Sequence, residues 1–175
     1  MTPECLTLEP FDIKNADTLI SWIKDERFLA TWCASTFSWP ITRSAMEEML
    51  ALCASDAPHR QYIQAIEKET GRFVGCFGIR RIDSHGTAGH LSLIIVSPEL
   101  RGTGAGSAMV RRALDLGFSK EGFNRMQLKV FSCNPAAKRC YEACGMEALA
   151  GREEWFDFKD EKWQVFTMVK ASDAQ

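Results

Sequence analysis

The sequence predicts a mixed α+β protein built around one βαβ crossover. Three observations predict it. Short apolar segments bounded by turns recur from residue 61 onward, segments with apolar residues at helical spacing flank and interrupt them, and 88–120 runs strand, glycine-rich loop, helix without a break. The length of 175 residues, 46% of them apolar and 25% charged, suits a soluble globular chain with a sizeable core. No Ser-, Pro- or Gly-rich linker, charge block or repeat divides it. Residues 1–170 are therefore read as one domain and 171–175 as a polar tail.

The elements follow in order. Residues 5–9 alternate well enough for a first strand, and Asn15 stands as a cap before Leu19, Ile20 and Ile23, which share one helical face over 15–24. Pro40 closes an aromatic loop. Ser44 and Glu47 then have the spacing of a capping box, with Ala45, Met49, Leu52 and Cys53 at helical intervals behind them. Tyr62, Ile63, Ala65 and Ile66 lead into Glu67-Lys-Glu-Thr-Gly71, and a second apolar stretch over 72–81 completes a hairpin. After the turn Ser84-His-Gly86, a strand over 88–96 ends in Leu91-Ser-Leu-Ile-Ile-Val-Ser-Pro98, and a helix is expected over 105–120. A strand at 126–132, a short helix at 134–144 stopped by Gly145, and two strands around 146–155 and 163–169 close the chain.

Several function classes drop out. Against 23 Asp and Glu stand 21 Lys and Arg, a formal net charge of -2, so the positive surplus of a backbone-reading nucleic-acid binder is missing. No apolar run approaches the roughly 18 residues of a membrane-spanning helix. The opening Met1-Thr-Pro-Glu-Cys-Leu6 has neither the basic flank nor the apolar stretch of an export signal, so neither membrane nor export is expected. The 7 cysteines, odd in number and scattered through helical and strand-like segments, read as reduced thiols of a cytoplasmic protein. Cys140 and Cys144 share a helix face just after Cys133, but no CxxC pair or partnering His accompanies them, and no metal site is expected.

Chemistry concentrates in Arg101-Gly-Thr-Gly-Ala-Gly-Ser107. Between an apolar strand and a helix, its free N–H groups and the positive end of the helix dipole suit an anion such as a pyrophosphate. Gly102, Gly104 and Gly106 let the main chain turn and approach a ligand, and Arg101 adds a fixed positive charge. A nucleotide-triphosphate loop needs a Lys after the glycines, and none follows. A dinucleotide fingerprint needs GxGxxG, yet Ser107 stands at the third Gly, and the next strand closes in Phe131-Ser-Cys-Asn134 where an acidic residue is required.

Arg101-x-x-Gly104-x-Gly106 after a strand, followed by helix, strand and Asn134-Pro-Ala-Ala-Lys-Arg-Cys-Tyr141-Glu-Ala-Cys-Gly145, resembles the GCN5-related N-acetyltransferase (GNAT) family over about residues 88–147. The branch nearest in appearance acetylates ribosomal-protein N-termini or spermidine. The resemblance implies αβα layers around a mostly antiparallel, twisted sheet of about six or seven strands with one splayed parallel pair, and acetyl-CoA as co-substrate. It implies that the N–H groups of Arg101, Gly102, Thr103, Gly104, Ala105, Gly106 and Ser107 hold the CoA diphosphate. Pantetheine would bond to the distorted strand end at Ile94, Ile95 and Val96, where one N–H polarises the thioester carbonyl. Asn134 would bind the CoA arm, Lys138 and Arg139 would meet the 3′-phosphate end, and Tyr141 would protonate the leaving thiolate. Tyr141 lies two helical turns beyond Asn134, so both are expected on one side of the helix.

The general base stays open among His90, Asp83, Glu153, Glu154, Asp157 and a water relay. The acceptor is a primary amine. An α-amine titrates near 7.7 to 8.0 and a lysine near 10.4, a gap of roughly 2.5 units or about 3.5 kcal/mol, so a site with no obvious base suits a protein N-terminus better than a polyamine or other small amine. Trp22, Trp32, Phe37 and Trp39 are either acceptor wall or core. The alternatives are a CoA-binding regulatory module without turnover and a nucleotide-binding enzyme. A homodimer paired through the last strands is compatible with exposed sheet edges.

Overall fold

The computed structural model describes residues 1–55, 60–151 and 153–172. β1 (Leu6–Pro10) is followed by three short helices, α1 (Ala16–Ser21), α2 (Glu26–Cys33) and α3 (Arg43–Ala54). β2 (Arg60–Glu67), β3 (Phe73–Arg81) and β4 (Ala88–Val96) form a meander, with Gly71 and Gly86 at positive φ in its two turns. α4 (Ala105–Asp115) crosses over to β5 (Arg125–Phe131). α5 (Pro135–Glu142), β6 (Glu147–Ala148), β7 (Glu154–Phe158) and β8 (Glu161–Ala171) complete the chain.

The eight strands form one sheet in the order β1-β2-β3-β4-β5-β8-β6, with β7 also on β8. Every pairing is antiparallel except β4 with β5, where the α4 crossover forces parallel strands. Each face buries its own apolar cluster. α4 and α5 cover Phe77, Leu91, Met126, Leu128 and Met168 on one face. α1, α2 and α3 cover Tyr62, Phe73, Cys76 and Ile95 on the other, where Trp22 stacks on Phe73 at 5.0 Å. α4 buries Ala105, Ala108, Met109, Val110, Ala113 and Leu114, a stripe at helical spacing.

Five local expectations are corrected. Asn15 does not cap α1 with its side chain, because its amide donates to Gln64 on β2 at 2.9 Å. α3 starts one residue before Ser44, since Thr42 accepts from the Ala45 N–H at 3.2 Å and takes the cap role expected of Ser44 with Glu47. The helix over 105–120 is α-helical only to Asp115 and finishes as a wider π-turn over Leu116–Lys120. The strand expected over 146–155 is two strands, β6 and β7, because Gly151 at φ 79° turns the chain between them. β8 extends to Ala171 and the Ser172 N–H bonds Asn124, so the tail assigned to 171–175 begins inside the sheet, and 173–175 lie outside the described residues.

Candidate active site

β4 and β5 pair only from Ala88–Arg125 to Leu91–Leu128. Beyond that point β4 keeps β3 and β5 keeps β8, so the edges they turn toward one another over 92–96 and 129–131 carry main-chain groups with no strand between them. A β-bulge accompanies the parting. From Gly78↔Ser92 to Cys76↔Ile95 β4 advances three residues while β3 advances two, and Leu93 takes up the extra step at φ 50°. The bulge reverses which residues face which layer. Leu91 lies in the α4 cluster, yet Ile95, four residues on, lies in the α3 cluster, and Ile94 and Val96 pack toward α4. β3 meets the bulge with Gly75, where a Cβ would lie 2.2 Å from the Ile95 carbonyl oxygen.

The second component is the start of α4. Gly104 is its N-cap at φ 87° and offers no capping side chain, so the N–H groups of Ala105, Gly106 and Ser107 have neither an intrahelical acceptor nor a side-chain one. Gly102, at φ 80°, makes the other left-handed turn of the loop. Gly106 differs, because a Cβ there would make only ordinary contacts with Cys140 at 3.5 Å and Val96 at 3.9 Å. Its smallness keeps the cleft open without being demanded by the backbone.

Splayed strands and helix start bound one cavity of about 710 Å³. Of the residues singled out in the sequence, Ile94, Ile95, Val96, Arg101, Gly102, Gly104, Gly106, Ser107, Asn134 and Tyr141 line it, as does Arg139. Three do not. Thr103 turns its hydroxyl to the Leu100 carbonyl, Ala105 buries its methyl in the core, and Lys138 pairs with Glu142 beside the Phe166 ring. The Arg101 guanidinium lies over the Phe28 ring of α2, 5.1 Å from its centre, which fixes the charge at the cavity wall. Asn134 caps α5 by accepting from the Ala137 N–H at 3.1 Å, and Tyr141 is buried in the same helix. Burial, with the Cys140 and Cys144 sulfurs adjacent, pushes the Tyr141 hydroxyl well above the usual phenol range and keeps its proton in place at neutral pH. The Cys144 thiol, and then Ser107 Oγ at 3.3 Å, hydrogen-bond the Cys140 sulfur and pull its thiol down, while the same contact with Cys140 holds Cys144 up.

The base candidates separate. Asp83 accepts from the Thr87 hydroxyl and the Thr87 and Ala88 N–H groups, which makes it a turn anchor with a lowered pKa. Glu154 pairs with Lys129, and Asp157 lies 3.8 Å from Lys162 in the β7–β8 hairpin. Neither these nor Glu153 lines the large cavity or the smaller one beside it. His90 lines a second cavity of about 260 Å³, which shares Ser92 and Leu93 with the large one. Burial first, then Arg80 and Lys129, lower its pKa to about 4, so its imidazole is neutral at physiological pH.

Of the aromatic cluster, Trp32 lines the large cavity and stacks on Phe37 at 5.8 Å. Trp22 and Phe37 are core, and Trp39 is exposed beside a cis Trp39–Pro40 bond. Trp32 is carried by α2, a helix that sequence reasoning folded into the aromatic loop. α2 also brings Phe28 and Thr31 to the wall, and Lys159–Glu26, Arg27–Glu161 and Arg27 over Trp163 tie it to the β7–β8 hairpin. Its signal was present in Asp25, which caps it by accepting from the Phe28 N–H at 2.7 Å, ahead of Leu29, Ala30 and Cys33. Leu93 had no such signal, because leucine is a poor choice for positive φ.

Comparison with known proteins gives a consistent picture. Residues 17–146 match the profile of the Acetyltransferase (GNAT) family. The thialysine N-ε-acetyltransferase of Bos taurus is 33% identical over 72 residues, a match spanning 41% of this chain and 42% of that protein. The fold is shared with a spermidine N-acetyltransferase of Vibrio cholerae in complex with CoA and spermine, at TM-score 0.80 and 20% identity over 96% of each chain. A chimera of that enzyme gives TM-score 0.78 at 20% identity over 95% of each chain.

Proposed function

The chain belongs to the Acetyltransferase (GNAT) family, and from that premise we propose that it is an acetyl-CoA-dependent N-acetyltransferase of primary amines. The observation that carries this reading is the coincidence of an unpaired β4 edge, an uncapped α4 start and the Tyr141 ring in one cavity. The residues fit the co-substrate. The N–H groups at 105–107 and Arg101 suit a diphosphate, the free edge over 92–96 suits an amide-bearing arm, and Asn134 and Arg139 extend the same wall.

Acetyl-CoA supplies an acetyl group already activated as a thioester. The protein's work is then alignment and charge stabilisation. An N–H of the β4 bulge donates to the carbonyl oxygen as negative charge gathers there, and the cavity walls hold the amine against the acetyl carbon. As the C–N bond forms and the C–S bond breaks, Tyr141 gives its proton to the sulfur, the amine releases one proton to water or to neutral His90, and a proton returned through solvent restores the Tyr141 hydroxyl. Because no carboxylate among the described residues lines either cavity, a less basic α-amine suits the site better than a polyamine, whether it is carried by a protein N-terminus or by a small molecule.

Thermal unfolding tests the assignment without an acceptor. Acetyl-CoA at about 100 times its dissociation constant should add about 2.7 kcal/mol and raise the midpoint by several degrees, with no shift from NAD or ATP. A shift with NAD or ATP and none with acetyl-CoA would remove the proposal.

A further inference from the structure

The smaller cavity has an electrostatic character unlike that of a polyamine site. Across β2, β3 and β4, Arg60 stands opposite Arg80 and Arg80 opposite His90, all on the α3 face. The next row on that face is Tyr62, Gly78 and Ser92, and both rows line the cavity. Among the described residues no Asp or Glu lines it, and neither guanidinium has an ion-pair partner. Like charges facing each other across neighbouring strands destabilise a sheet, and burial together with Arg60 lowers the Arg80 pKa. One further feature points to an occupant: His90 Nδ1 is buried with no hydrogen-bond partner, above a floor where Gly78 packs against Ser92 Oγ, which a Cβ would meet at 2.8 Å.

We propose that this cavity is the recognition end of the acceptor site and selects a small primary amine bearing a carboxylate, which Arg60 and Arg80 hold while the amine reaches the large cavity at Ser92 and Leu93. The inference rests on the acetyltransferase reading of the large cavity. A carboxylate neutralises the facing guanidiniums through charge-assisted hydrogen bonds, whereas a polyamine adds only like charge. The same positive field disfavours the ammonium form of the acceptor, so it aids the proton loss for which the site has no strong base. The polyamine complex of the Vibrio cholerae enzyme shares the fold at 20% identity and not this argument.

The test compares lysine and γ-aminobutyrate with cadaverine and spermidine, which lack the carboxylate, by initial rates of CoA release. The carboxylate-bearing amines should have the higher kcat/KM by at least about tenfold. Arg80→Gln should erase that preference while leaving acetyl-CoA affinity, measured by calorimetry, unchanged. Arg60→Gln, at the exposed start of β2, is the second variant should Arg80→Gln fail to fold. Equal or better turnover of spermidine, or a preference untouched by both variants, overturns the inference while the acetyltransferase reading stands. Failure of acetyl-CoA to bind removes both. If none of the four amines turns over, thermal shift of the CoA complex decides: a rise with γ-aminobutyrate that Arg80→Gln abolishes supports the inference, and no rise with the wild type rejects it.

Discussion

The large cavity takes its chemistry from main chain, and the small one takes it from side chains. In the first, strand edges over 92–96 and 129–131, left open where β4 and β5 part, and the uncapped start of α4 present N–H and C=O groups that any sequence carries. In the second, Arg60, Arg80 and His90 on three strands meet because the registers of β2, β3 and β4 align them. A backbone site binds the part of a ligand that is always the same. A side-chain site can change its charge without disturbing the fold, which makes it the place for acceptor choice. The two meet at Ser92 and Leu93, where the bulge turns β4 from one layer to the other.

The comparison breaks most sharply at the bulge. Deleting Leu93 removes the one extra residue and leaves Ile94 and Ile95 on their present faces, so the protein should fold with β4 regular. Acetyl-CoA affinity by calorimetry should then fall roughly a hundredfold, as two or three main-chain hydrogen bonds to the ligand are lost. Unchanged affinity would mean that the parting of β4 and β5 does not depend on the bulge. Tyr141→Phe should lower kcat by about a hundredfold with little change in acetyl-CoA affinity, and an unaltered rate with a verified acceptor would take the hydroxyl out of the mechanism.

A smaller effect is expected at the loop. Arg101→Ala should weaken acetyl-CoA binding by about tenfold, through loss of a charge held at the wall. Gly104→Val should weaken it too, but φ 87° adds a destabilisation of about 1–2 kcal/mol, visible as a lower Tm, that Arg101→Ala lacks. The smallest effect is that of His90, and it is confined to acid. The folded-state pKa of His90, about 4, is below its unfolded value of 6.5, so the unfolded chain binds more protons between the two. Stability should therefore decline as pH falls from 6.5 toward 4, and His90→Gln should flatten that part of a denaturation-against-pH curve. A slope identical to wild type would show that His90 is solvated.

Much of the large site was legible because its requirements are local. Gly102 and Gly104 mark left-handed turns, Asn134 ahead of Pro135 marks a capped helix, and Gly145 ends that helix at φ 80° with the Met146 N–H bonded to Tyr141. Less visible was anything set by partners far away in sequence. Asn15 looks like a cap until Gln64 is beside it, and the acids at 153–157 look catalytic until β7 pairs with β8 and carries them to the hairpin.

The sequence by itself determined the strand-loop-helix whose geometry suits an anion and the alternation that builds the sheet, because helix caps and positive-φ turns are decided within a few residues. Only the tertiary structure decided where β4 bulges, which helix walls the cavity, and that two arginines and a neutral histidine share one pocket. Those depend on strand register, and register is an outcome of packing both faces of the sheet at once.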